Sequence, residues 1–181
     1  MDPNQPSFYS DGVMRLYALC QSTFGTKVKK YYLGLPSQPP TDLDYPALVI
    51  QKMTGNYTIN ATQTDQQVER IAIMLFARKG DNAGGPDDPG ITTLRELQNM
   101  VEGRDPTSAD ANAGYPTYQP GTLMYALRTS FTNEYYNINQ SIDVSYDITP
   151  RASETGERLP GLAQANIIMT LTEKIIVANR T

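Results

Sequence analysis

Residues 135–148, YYNINQSIDVSYDI, alternate almost without fault between apolar and polar positions. Tyr136, Ile138, Ile142, Val144, Tyr146 and Ile148 fall on one side, and Asn137, Asn139, Ser141, Asp143, Ser145 and Asp147 on the other. That period of two predicts a long strand with one dry and one wet face. The closing segment, ANIIMTLTEKIIVANRT, repeats the pattern: Ile167, Met169, Leu171, Ile175 and Val177 stand opposite Thr170, Thr172 and Lys174. VERIAIMLFARKG gives the strongest strand signal of the first half. Ile71, Ile73, Leu75 and Ala77 share one face, and Val68, Arg70, Ala72, Met74 and Phe76 the other. Both faces are substantially apolar, so both are expected to be covered.

Three further strands are predicted. KVKKYYLGL alternates basic with aromatic or aliphatic residues and is ended by PSQPP. DYPALVIQKM has a continuous apolar centre, Ala47 to Ile50, and leads into a polar stretch, TGNYTINATQTDQQ. TLMYALRTSF places Leu123, Tyr125, Leu127 and Phe131 on one side. Two segments have the helical period instead. Val13, Leu16, Tyr17, Cys20 and Phe24 recur at that spacing, with Ser10 or Asp11 as the cap and Gly25 as the stop. Ile91, Leu94, Leu97 and Val101 do the same after the breaker DNAGGPDDPG, with Asp88 as cap and Gly103 as stop. Residues 104–121 and 150–165 read as long polar loops, and 1–10 as an N-terminal arm.

The element order implies an α+β fold in a single domain spanning 1–181. Its mostly antiparallel sheet has five to six strands, with two helices packed on one face. Two helices cannot cover both faces of such a sheet. Part of the sheet surface is therefore expected to be completed by another chain.

Composition narrows the chemistry. The chain of 181 residues has no His, which excludes a Ser-His-Asp triad, a Cys-His dyad and a His-ligated zinc. The lone Cys20 can form no internal disulfide, and its apolar setting favours a buried structural thiol over a nucleophile. The glycines of DNAGGPDDPG match no phosphate-binding loop, and Asp81, Asp87 and Asp88 lack the spacing of a calcium loop. The glutamates sit in helix-face, strand-edge or loop settings that need no catalytic explanation. No catalytic, cofactor or metal site is expected. Apolar runs are too short to cross a bilayer, and MDPNQPSFYSDG lacks the zones of a signal peptide. The expected place of synthesis and assembly is thus the cytoplasm. A net charge of −4 argues against general nucleic-acid binding. Tyr31, Tyr32, Tyr115, Tyr118, Tyr135 and Tyr136 suit ligand stacking or a protein interface, and the interface is the favoured reading.

The succession of a capped helix, DYPALVIQK, VERIAIMLFARKG, the short helix ITTLRELQNMVEG and an amphipathic closing strand resembles the tail terminator (neck) proteins of long-tailed bacteriophages. These are similar in fold to tail-tube and tail-completion proteins. The resemblance covers roughly residues 11 to 178. It implies a non-enzymatic virion protein, assembled in the host cytoplasm as a homo-hexameric ring. Such a ring caps the tail tube, halts its polymerisation and docks to the head connector or stopper. Viral DNA would pass through its lumen without specific binding.

Met74, Phe76, Ile167 and Met169, with Tyr115 and Tyr118, are the candidate ring contacts. Lys27, Lys29, Lys30, Arg78 and Lys79 are the candidate docking residues, because they concentrate positive charge that an acidic neighbour can meet. The alternatives are another head–tail joining, collar or tail-tube protein and, more remotely, a small ligand-binding or enzymatic α+β module.

Overall fold

Asp11 starts the first helix. Its Oδ1 accepts a hydrogen bond from the Met14 amide at 2.8 Å, satisfying one of the donors that a helix start leaves unpaired. Gly25, at φ +50°, ends that helix in a backbone region that favours glycine. The computed structural model describes residues 11–36, 44–59, 64–78, 89–109, 116–131, 141–152 and 158–176. In chain order the elements are α1 (Gly12–Phe24), β1 (Lys30–Leu33), β2 (Ala47–Thr58), β3 (Thr64–Arg78), α2 (Pro89–Glu102), β4 (Arg104–Ala109), β5 (Pro116–Tyr118), α3 (Leu123–Ala126), β6 (Ser141–Ala152) and β7 (Arg158–Ile176).

One five-stranded sheet, in the order β1–β2–β3–β7–β6, carries the fold. All its pairs are antiparallel except β1 with β2. The register puts Ile50, Ile73 and Ile167 side by side across three strands, and Lys52, Ile71 and Met169 in the next inward row. Leu48, Ile50, Ile71, Ile73, Leu75, Ala165, Ile167, Met169 and Leu171 form the inner face. Leu16, Leu19, Cys20 and Phe24 of α1, Leu97 and Val101 of α2, and Leu123 and Ala126 of α3 pack on it. Each fully buried aliphatic side chain contributes roughly 2 kcal/mol of transfer free energy, so this one layer is where the stability resides.

The α+β class and the one-sided placement of the helices are as the sequence implies, with one more helix than expected. Residues 123–131 are helical, not a strand. Gly121 turns the chain at φ +82°, and Thr122 caps α3 by accepting from the Tyr125 amide at 3.3 Å. The helix then continues as a π-turn over Leu127–Phe131. Leu123, Tyr125 and Leu127 alternate as in a strand, but the buried set is Leu123, Ala126 and Leu127, a helical spacing.

The two expected loops also contain strand. β4 and β5 pair within 104–121, with Arg104 opposite Tyr118, and β6 and β7 extend into 150–165. The polar stretch after Met53 continues β2 to Thr58 and belongs to the β2–β3 hairpin. Its residues are polar because they are exposed, not because they form a loop. Conversely β1 is shorter than expected, since Gly25–Lys27 form a turn of 3₁₀-helix. Ser10, Asp88, Tyr115, Tyr135, Tyr136 and Lys79 lie outside the described residues.

Candidate functional site

The helices leave the second face of the sheet uncovered among the described residues, except at one end. There Tyr45, Ala47, Val49, Phe76 and Leu162 form a small buried cluster, with Tyr32 and Met74 packed against it. β3 is therefore dry on both faces only near Phe76. Further along, the outward positions Val68, Ala72 and Ile168 are half-buried and Arg70 is exposed.

The rest of this face mixes polar and charged side chains, with Arg70, Arg78 and Lys174 exposed on β3 and β7. Gln51, Gln164, Asn166, Thr170 and Thr172 lie across β2 and β7, bordered by Asp143, Ser145 and Asp147 on β6. Gln164 Nε2 donates to Asn166 Oδ1, and Asn166 Nδ2 donates to Asp147 Oδ2 at 3.2 Å, so the amides are held in a row. An antiparallel sheet with one packed and one solvated face has this composition.

The candidate ring contacts separate into three groups. Ile167 and Met169 face inward beneath the helices at 1% and 0% exposure. They are corrected to core residues, because a side chain sealed by its own chain offers nothing to a neighbour. Phe76 is also buried, at 5%, in the outer cluster, which Met74 only borders. Tyr118, on β5, is 40% exposed and accessible. Tyr115 falls outside the described residues.

Among the docking candidates, Lys27, Lys29 and Lys30 are exposed and lead into or begin β1, one edge of the sheet. Arg78 is exposed at the same end of the outer face, with β2 between it and β1. Lys79 is not described. The opposite edge is β6, where Asp143 and Asp147 are exposed. The β2–β3 hairpin adds a third accessible feature. A bulge at Met53 interrupts its register, and Met53, Tyr57 and Ile59 are all exposed.

A charged cluster at the start of α1 was not singled out in the sequence. Arg15 pairs with Glu173 of β7, and Lys52 of β2 with Glu69 of β3. Gln67 Nε2 also donates to Glu69 Oε1, at 2.7 Å. Arg15 and Glu69 are buried. The hydrogen bond to Glu69 raises the Lys52 pKa above its ordinary value, with partial desolvation opposing. The signal was present: Gly12, Arg15, Leu16 and Leu19 make one helical stripe, and Glu69 continues the inward series of Ile71, Ile73 and Leu75. The Arg15–Glu173 pair ties α1 to β7, and the Lys52–Glu69 pair ties β2 to β3.

Cys20 is sealed in the core, where burial pushes its thiol up to about 12. Tyr31 is likewise pushed up to about 12, mainly by desolvation and then by Cys20 and Tyr17. Its hydroxyl donates to the Gly25 carbonyl at 2.8 Å, and its ring meets Tyr17 edge-on at 6.2 Å. These groups support the helix–sheet junction; neither is placed for chemistry.

Among the described residues no cluster of His, Cys, Asp and Glu could hold a metal ion. No helix among them is long and apolar enough to cross a membrane. No protein-family model matches the chain, and no curated protein sequence matches it significantly.

Proposed function

We propose that this chain is a structural protein of a bacteriophage neck, the tail terminator, which works as a ring of identical subunits. The observation that carries the reading is the one-sided sheet. Helices cover one face, while the other face, apart from the buried end around Val49 and Phe76, and both edges stand uncovered among the described residues. A subunit of a closed ring needs two different patches, one for each neighbour, and two unlike sheet edges supply them.

The exposed lysines before and within β1 are suited to an acidic partner such as a tube or connector subunit. Shape and contact, not bond-making, are the activity proposed.

The test is made on the particle. Electron microscopy of tails should place one ring of this protein at the head-proximal end of the tube. Removing the gene should release control of tube polymerisation and leave tails unable to join heads. Copies stacked along the tube would make the chain a tail-tube subunit, and absence from purified particles would reject a virion role altogether.

A further inference from the structure

The two edges of the sheet carry opposite charge. Residues 25–33, GTKVKKYYL, contain three lysines and no acid, and all three are exposed. The opposite edge, β6 (Ser141–Ala152), carries two aspartates, both exposed, over residues 141–149 and a single base, Arg151, near its far end. Lys30 and the two aspartates project from the same, helix-free face, since Lys30 aligns with Ala47 and Phe76, and Asp147 with Asn166 and Met74.

Strand direction adds a second complementarity. β1 is parallel to β2; β3 reverses, β7 reverses again and β6 once more, so β6 runs antiparallel to β1. If one copy's β1 were laid beside another copy's β6 with the helices on the same side, the strands would meet antiparallel, continuing the sheet. Edge strands expose unpaired backbone donors and acceptors that such addition satisfies.

We infer that identical copies join head to tail through this seam, with the lysine-bearing β1 edge of one copy against the aspartate-bearing β6 edge of the next. The inference rests on the ring reading above and specifies its contact. Each contact uses two unlike edges, so it is heterologous and leaves one basic and one acidic edge for the next copy. Every helix layer then lies on one side of the extended sheet, and every row of amides and hydroxyls on the other.

Cysteine pairs test the seam directly. Lys30→Cys is combined in turn with Asp143→Cys, Ser145→Cys and Asp147→Cys and oxidised at high micromolar concentration and on assembled tails. Within one copy these edges are four strand spacings apart, about 19 Å. A disulfide needs Cα atoms within about 7 Å, so any bond formed must link two copies. Charge reversal is the second arm. Lys29→Asp with Lys30→Asp, or Asp143→Lys with Asp147→Lys, should each raise the concentration for half-assembly about tenfold or more, by setting like charges face to face. The fourfold variant, with both edges reversed, should recover assembly, and circular dichroism checks that every variant is folded.

Disulfide-linked multimers together with that recovery support the seam. Multimers that persist without cross-links and ignore the reversals overturn it while leaving the ring reading intact. A chain that stays monomeric in solution and absent from a ring on tails overturns both.

Discussion

Gly12 lies directly against the Glu69 carboxylate: a Cβ at position 12 would stand 2.7 Å from Glu69 Oε2 and 2.7 Å from Leu171 Cδ2. Both side chains are fully buried, so neither can swing away. Gly12→Ala is therefore expected to destabilise the fold by about 1–3 kcal/mol through overpacking, although alanine is the better helix former by about 1 kcal/mol. Urea unfolding measures the balance, and a stabilised variant would show that α1 can lift off the sheet.

The Arg15–Glu173 pair joins α1 to β7 with the guanidinium buried. Glu173→Ala leaves that charge in the interior and is expected to cost about 3 kcal/mol. Arg15→Met combined with Glu173→Leu should recover most of the loss, since an apolar pair of similar volume removes the buried charge. A double variant as unstable as the single one would assign the loss to packing.

Alkaline pH is expected to weaken the fold, and the sign is the same for three groups. Folding raises the pKa of Lys52, Cys20 and Tyr31. Each contribution is complete below the group's ordinary pKa and is lost as pH rises through the folded one. For Cys20 that window runs from 9.0 to about 12. Cys20→Ala should flatten the fall of denaturation midpoint across this range, and an unchanged slope would exclude the thiol as its source.

Neighbouring isoleucines should behave oppositely. Ile167→Ala empties a site in the core and is expected to cost about 2–5 kcal/mol. Ile168 is half-buried on the open face, so Ile168→Ala should cost about 1 kcal/mol in the isolated chain. Thermal unfolding of the two variants, compared with their assembly on tails, separates a fold defect from a contact defect.

The strands with one packed face were legible where alternation is clean: residues 141–148 of β6, the Ile167–Met169–Leu171 series of β7 and the Ile71–Ile73–Leu75–Ala77 series of β3, but not the ends of β6 and β7 within 150–165. What alternation could not tell was the depth of cover on the second face, because Val68, Ala72 and Met74 look the same in sequence whether sealed or half-exposed. Residues 123–127 satisfied both periods, and only Thr122 and Gly121 before them favoured the helix. Arg15 and Glu69 went unread because a charge is ordinarily placed outside. Their partners come from β7 and β2, far along the chain. The opposed charges of the two sheet edges were visible as sequence, but only the strand order makes them edges.

β7 serves as a common rail, aligned with the whole of β3 on one flank and with most of β6 on the other. Losing or gaining one residue inside 162–172 would invert inward and outward along the rail, turning Ile167, Met169 and Leu171 to water. Evolution can therefore substitute freely along the outward row but cannot change the rail's length. Divergent relatives should keep an unbroken count there and accumulate their insertions and deletions where the strands turn.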